Sequence, residues 1–303
     1  VQVAKVQRAT LRSHVTGYGL VEGEPARLGQ SGAGARLAPP VAGIVTGVLC
    51  AEGQRVEKGA PLFQLDSRVA DVAVETAKVN LERQRRLMKV EGTSQKALQE
   101  AEQQMAAAEA QLSLLRIDAP FAGTVTRVNV RPGEAVDTAS ALGEIVDMDR
   151  LVVSASVPSA EAAGIAAGQA AEIHVAGGTG PVAGSVLWVT PRVEPRSDAL
   201  AVRVGIPAGS GLVPGQFAAV RIVTGERRDV LAVPRESVYT DHDGQSTLSV
   251  VEGDVAKRRT VKVGLRDGDL VEVEGDGLSD GATVVTLGSY ALPEQTRVRV
   301  VGP

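Results

Sequence analysis

Short segments in which Val, Ile, Leu and Ala alternate with polar residues recur along most of the chain, Ala218–Val223 and Val250–Val255 among them. A period of two puts the apolar residues on one face, so these segments read as β-strands separated by turns of Gly, Pro and Asp. The pattern changes from about Ser67 to Leu115, where Gly and Pro nearly vanish and Ala, Glu, Gln, Lys, Arg and Leu take over. These are good helix formers. Ala70, Val74, Ala77, Leu81, Gln84 and Met88 are spaced alternately four and three apart, and Leu98, Ala101, Met105, Ala108, Leu112 and Leu115 repeat the spacing. Each set is a heptad seam, with Gln84 the one polar interruption. Glu91-Gly92-Thr93-Ser94 is the only break. Gly92 is expected to supply a left-handed residue ending one helix, and Ser94 to cap the next. The seams are narrow and made of small residues, which favours two helices of about 23 residues, each about 35 Å long, closing on each other as an antiparallel coiled-coil hairpin.

The segments flanking this stretch resemble each other at a constant offset of 80 residues. Pro40, Ala42, Gly43, Val45, Thr46, Val48, Gly53, Val56 and Leu62 match Pro120, Ala122, Gly123, Val125, Thr126, Val128, Gly133, Val136 and Leu142. Ungapped agreement of this kind indicates two homologous half-motifs. Neither half has enough strands to bury its Val face alone, so the two are expected to form one sandwich with the helices inserted between them.

Composition narrows the chemistry. Over 303 residues, 32 Lys+Arg against 36 Asp+Glu give a net charge of −4, and aromatics make up only 2%. Scattered cations and few aromatic platforms argue against nucleic acid as a partner. The single cysteine, Cys50, excludes an intramolecular disulfide and a Cys-based zinc site, and its apolar neighbours mark it as a core residue. His14, His174 and His242 are far apart in sequence, and Met88, Met105 and Met148 are dispersed, so no metal cluster is predicted. Gly32-Ala33-Gly34 and Gly177-Gly178-Thr179-Gly180 lack a following Lys-Ser/Thr pair and read as turns, as does Asp241-His242-Asp243-Gly244. No catalytic residue and no cofactor can be named. No run of 18 apolar residues spans a bilayer, and the start at Val1 without Met suggests that a signal or anchor has been removed.

The half-motif Ala42-Gly43-Ile44-Val45, Glu52-Gly53-Gln54-Arg55-Val56-Glu57-Lys58-Gly59, Leu62 and Leu65-Asp66 resembles the first half of a biotinyl/lipoyl domain. Ala119-Pro120-Phe121-Ala122-Gly123-Thr124-Val125 with Pro132-Gly133-Glu134-Ala135-Val136 resembles the second half. Carrier domains of that type place a modified lysine between the halves, where this chain has its helices. A lipoyl domain split in this way resembles the HlyD-like periplasmic adaptor family, also called membrane fusion proteins, of tripartite efflux pumps. Leu151–Pro158, Gly168–Ile173, Gly184-Ser185-Val186 and Leu212–Phe217 are similar to the adaptor β-barrel domain. Leu231–Pro234, Ser237-Val238, Ser249–Val251 and Gly277–Val285 are similar to the membrane-proximal domain.

The resemblance implies an elongated, multidomain, mainly β fold with an inserted α-helical coiled-coil hairpin. The membrane-proximal β domain is expected at 1–12 and 231–303, with the first strand region pairing onto the C-terminal module. The β-barrel is expected at 13–37 and 147–230, its first span including the connection into the next domain. The lipoyl-like sandwich is expected at 38–66 and 117–146, and the hairpin at 67–116. Arg83, Leu87 and Ser94 have the spacing Arg-x3-Leu-x6-Ser, which resembles the tip motif with which these adaptors engage an outer-membrane channel. The implied partners are an inner-membrane transporter, favoured as the resistance-nodulation-division (RND) type, an outer-membrane channel, and five further copies in a hexamer. The implied location is the periplasm, with anchoring to the inner membrane of a Gram-negative bacterium through a segment absent from this chain. The exported compounds would be drugs or other small toxic molecules. An adaptor for an ATP-driven (ABC) exporter or for a heavy-metal RND pump is the alternative, and a biotin or lipoate carrier is disfavoured by the missing tip lysine.

Overall fold

Among the described residues, the alternating segments fold into strands and the Ser67–Leu115 stretch folds into two helices. The computed structural model describes residues 1–178, 180–287, 293 and 295–299. Thr179 of the Gly177–Gly180 turn and several positions of the 231–303 module therefore lie outside the described residues. The chain divides into two units, one made of Val1–Gly19, Val153–Val204 and Phe217–Pro303, the other of Leu20–Val152 and Gly205–Gln216. Strands β1 (Val3–Lys5) and β2 (Gln7–Gly23) open the chain.

The second unit contains β3 (Gly34–Leu37), β4 (Gly43–Val48), β5 (Arg55–Val56), β6 (Pro61–Leu65), helices α1 (Arg68–Met88) and α2 (Gln95–Ser113), then β7 (Arg116–Asp118), β8 (Gly123–Val128), β9 (Ala135–Val136) and β10 (Gly143–Val146). They form two four-stranded sheets, ordered β3-β10-β8-β5 and β7-β6-β4-β9. A shift of 80 residues carries β4 onto β8 and β5 onto β9, and with them one sheet order onto the other. Each sheet thus takes its two central strands from one half-motif and its edges from the other. The hydrogen bonds obey the same operation. Gly53 N–H donates to the Val125 carbonyl at 2.8 Å and Gly133 N–H to the Val45 carbonyl at 2.7 Å. Both glycines sit at positive φ, +82° and +94°, which explains why the turns of both halves carry Gly at this position. Gly34–Leu37, read from sequence as part of the connection, joins the sandwich as an edge strand because Leu37 is buried in its core.

Val45, Leu62, Leu65, Val125, Leu142 and Ile145 are fully buried together, so the two halves share one core. The symmetry fails at one point. Phe63, also fully buried, has Gly143 as its counterpart, and a Cβ built on Gly143 would lie 3.1 Å from the Phe63 ring and 2.7 Å from the Arg127 carbonyl oxygen. The ring occupies the space that the glycine leaves.

The first unit contains β11 (Leu151–Pro158), β12 (Ala170–Val175), β13 (Val182–Glu194), β14 (Ala199–Gly205), β15 (Phe217–Pro234), β16 (Tyr239–Thr240), β17 (Ser246–Glu252), β18 (Val255–Asp267), β19 (Leu270–Glu274), β20 (Thr283–Val285) and β21 (Gln295–Arg297). Strands β15-β12-β13-β14-β11-β2 are neighbours in that order, and β2 also pairs with β15, which closes them into a barrel. Its interior is aliphatic, with Leu11, Val153, Val157, Ile173, Val202, Val220 and Ile222 buried. The path continues from β15 through β19, β18, β17 and β20 to β1, over a second core of Val6, Val233, Leu248, Val261 and Val273. Val3 pairs with Val285, so the first strand does lie on the C-terminal module. One strand prediction is corrected. Val250–Val255 is not continuous, because Gly253 at φ +66° and Asp254 turn the chain, and Glu252 pairs back onto Val255. Asp241–Gly244 is a turn as expected, with Asp241 Oδ1 accepting from the N–H groups of Asp243 and Gln245.

Candidate functional site

The residues singled out by their spacing lie where α1 ends and α2 begins. Both helices are shorter than predicted, 21 and 19 residues. Along α1, Ala70, Val74, Ala77, Leu81, Gln84 and Met88 are all shielded at least in part, and so are Leu98, Ala101, Met105, Ala108, Leu112 and Leu115 along α2 and just beyond it. The helices run antiparallel, with Asn80 donating to Gln104 at 3.4 Å and Arg85 to Glu102 at 3.5 Å.

The turn between them departs from expectation in an instructive way. The left-handed residue is Glu91, at φ +56°, and not Gly92. Gly92 N–H donates to the Leu87 carbonyl at 2.8 Å and Glu91 N–H to the Met88 carbonyl at 3.3 Å. These are the paired bonds of a Schellman motif, which require the left-handed residue one position before the 6→1 donor. Gly92 is useful for a different reason: a Cβ there would stand 3.3 Å from Leu87 Cδ2. Leu87 folds over the turn and is only 37% exposed. Ser94 caps α2 as expected, its Oγ accepting from Ala97 N–H at 3.1 Å. Arg83 is exposed and donates to Asn80 Oδ1 at 2.8 Å. Arg83 and Leu87 therefore stand one turn apart on α1, and Ser94 lies across the turn.

Two features of the tip were missed. Gln84, seen only as a flaw in the seam, accepts a 2.8 Å hydrogen bond from the Thr93 hydroxyl and ties the turn to α1. Val90, 72% exposed, is the most exposed apolar side chain of the tip. Its signal was available, since a Val just past the last seam residue has no core to enter.

Other candidate groups are held by ordinary contacts. Cys50 is half-buried against the sandwich core, and burial pushes its thiol up, away from a reactive thiolate. His14 lies 3.6 Å from Asp267 and His174 3.5 Å from Glu172. Among the described residues, no three His, Cys, Asp or Glu are grouped to hold a metal.

The sandwich with its inserted helices matches the CzcB-like barrel-sandwich hybrid domain over residues 33–147, and the following strands match the CusB-like β-barrel domain over 151–226. In both domains the chain resembles the periplasmic linkers of efflux pumps. Over 289 residues it is 28% identical to the nickel-cobalt-cadmium resistance protein NccB of Alcaligenes xylosoxydans xylosoxydans, covering 86% of this chain and 72% of that one. Over 199 residues it is 33% identical to the nodulation protein NolF of Rhizobium meliloti, covering 64% of this chain but only 53%, about half, of that relative. Efflux pump periplasmic linkers of Pseudomonas putida are further relatives. Among solved structures, MacA from Actinobacillus actinomycetemcomitans shares the fold of this chain at a TM-score of 0.62 and 18% identity, covering 93% of this chain and 98% of that one.

Proposed function

We propose that this chain is the periplasmic adaptor of an RND-type tripartite efflux pump, joining an inner-membrane transporter to an outer-membrane channel as part of a sealed conduit. The observation that carries the reading is the position of the helix pair. It emerges between two homologous halves of one sandwich, where a carrier domain would hold its modified lysine, and it ends in a capped turn bearing Arg83, Leu87 and Ser94. In this reading the pair is a coiled-coil hairpin at 67–116 and its tip docks on the channel. The lipoyl-like domain at 38–66 and 117–146 and the barrel at 13–37 and 147–230 form successive stages of the conduit. The module at 1–12 and 231–303 seats on the transporter. Six copies form the ring, and a segment outside this chain anchors it to the inner membrane.

The cargo is a drug or another small toxic compound. A heavy-metal cargo is the second reading, favoured by the similarity to NccB over most of the chain. The test replaces Leu87 by Asp and Arg83 by Asp, then measures crosslinking to the outer-membrane channel beside cellular resistance to drugs, solvents, nickel, cobalt and cadmium. Both variants should lose crosslinking and resistance while the isolated protein stays folded. Full crosslinking and full resistance in both would make the tip an ordinary solvated turn. The resistance lost first identifies the cargo.

A further inference from the structure

The tip of the helix pair carries a charge opposite in sign to that of the whole chain. From Glu82 to Lys96, five cations stand against two carboxylates, a net +3 in a chain whose total is −4. Two of the five are answered locally. Arg85 pairs with Glu102 at 3.5 Å and Lys96 with Glu100 at 3.9 Å. Arg83 donates only to the neutral Asn80, and the side chains of Arg86 and Lys89 have no hydrogen-bond or ion-pair partner among the described residues. Glu82 precedes Arg86 by four residues, the spacing of a helical ion pair, yet the two are not paired. The negative end of the α1 dipole accounts for Arg85 and Arg86 in the last turn, but Arg83 stands before that turn and gains little from it. Spacings of three and four put Arg83, Arg86 and Leu87 on one face, with Val90 continuing it just past the helix. All four are exposed, while Leu81, Gln84 and Met88 are shielded.

We propose that the channel surface on which this tip docks is acidic, with carboxylates facing Arg83, Arg86 and Lys89 along the outer side of α1. The inference rests on the docking reading above and adds the chemistry of the partner. The three cations are spread over six residues, about 9 Å of helix, so they suit separate carboxylates on a protein surface better than one compact oxyanion. Leu87 and Val90 lie among them. Apolar side chains flanked by cations match a partner groove with an apolar floor and acidic walls, in which attraction between opposite charges selects the partner and speeds encounter. An anionic membrane fits less well, because a flat anionic surface meeting the tip end-on would meet the exposed carboxylate of Glu91 in the turn.

The full chain would be passed over the outer-membrane channel recovered by the crosslinking test, immobilised for surface plasmon resonance, at about 50 and about 300 mM salt, and co-sedimented with phosphatidylglycerol vesicles. The parent should bind more weakly at the higher salt, where exposed charges are screened over a shorter distance. The double variant Arg86→Gln/Lys89→Gln should bind at least about tenfold more weakly at the lower salt, the scale of one lost charge-assisted hydrogen bond, and should lose most of the salt dependence. Lys78→Gln, exposed on the same helix but outside the tip, should bind as the parent does at both salts. Arg86→Gln alone gives a second readout if the double variant melts early. Salt-independent channel binding that the double variant retains and Leu87→Asp abolishes overturns the acidic surface while the docking reading stands. No channel binding by the parent at either salt overturns both. Vesicle binding that the double variant loses, beside unchanged channel binding, gives the cations to a lipid surface and overturns the proposal.

Discussion

Replacing Leu87 by Ala tests how the tip distributes its binding energy. Full burial of an exposed Leu or Val contributes about 1.5–3 kcal/mol. Leu87 is 37% exposed, so roughly a third of that, about 0.5–1 kcal/mol, remains for a partner. Val90, at 72% exposure, has roughly 1–2 kcal/mol to give. Leu87→Ala should therefore weaken channel binding about two- to fivefold per copy, and Val90→Ala about five- to thirtyfold. Exposure thus ranks Val90 above Leu87, although Leu87 and not Val90 belongs to the Arg-x3-Leu-x6-Ser spacing. The buried part of Leu87 does other work, covering the turn where Gly92 leaves room for it, so Leu87→Ala should also lower the melting temperature while Val90→Ala should not. The assay is surface plasmon resonance of the full-length variants against immobilised channel, with thermal melts alongside. Repeated copies would amplify both effects through avidity, so the comparison between variants carries the test. If Leu87→Ala weakens binding far more than Val90→Ala and melts like the parent, the exposure argument is refuted.

Ser94→Ala should destabilise the protein by about 1 kcal/mol through loss of the Ala97 cap, whereas Ser94→Asp should keep the cap. If Ser94→Asp retains the parent's urea midpoint but loses channel crosslinking, the hydroxyl contacts the channel as well as the helix. Gly143→Ala should cost about 1–3 kcal/mol by forcing a methyl against the Phe63 ring and the Arg127 carbonyl, while Gly34→Ala, whose nearest neighbour would be 3.8 Å away, should be nearly neutral in the same urea titration. The Asp66 carboxyl is lowered to about 2 by its bonds from Arg68. A depressed folded-state pKa contributes stability above the unfolded value near 4 and loses it as pH falls toward about 2. The melting difference between the parent and Asp66→Asn should accordingly be greatest at pH 5 and vanish near pH 2, and a constant difference would exclude this pair.

What was legible depended on whether the signal was local or periodic. The seams could be read because a buried stripe leaves a spacing, and Ser94 could be read because a cap needs a hydroxyl before a helix. The 80-residue repeat carried more than homology: it already held the sheet order, since β4 with β8 and β5 with β9 are the same strands in two halves. The failures came where a choice among close neighbours is made by hydrogen bonds. Gly92 is the obvious left-handed residue by composition, but the Schellman bonds put that conformation on Glu91, where a side chain is tolerated in a solvated turn. Val250–Val255 alternates well enough for one strand, and only the positive φ of Gly253 reveals two.

The way the helix pair is rooted explains how a sandwich tolerates an insertion of this size. The chain leaves from β6 and returns in β7, which are paired neighbours, Phe63 opposite Ile117 and Gln64 opposite Arg116. Leu65 N–H donates to the Leu115 carbonyl at 2.8 Å, so the two ends of the insertion are already fixed to each other by the sheet. Lengthening a loop whose ends are held costs little, because closure entropy grows only with the logarithm of length. The helices remove most of even that cost, since they order themselves against each other along the shielded seams. Both roots carry the same clamp in mirror image, Arg68 on Asp66 and Arg116 on Asp118, each with a shortest contact of 2.6 Å. Exposed pairs of this kind add little stability singly. Their effect is geometric: they hold the first residue of α1 and the first residue of β7 beside the sheet from which the helices emerge. A tip mounted on such a root is aimed by the sandwich core, so a substitution at Leu62 or Leu142 should misdirect the tip as well as loosen the sheet.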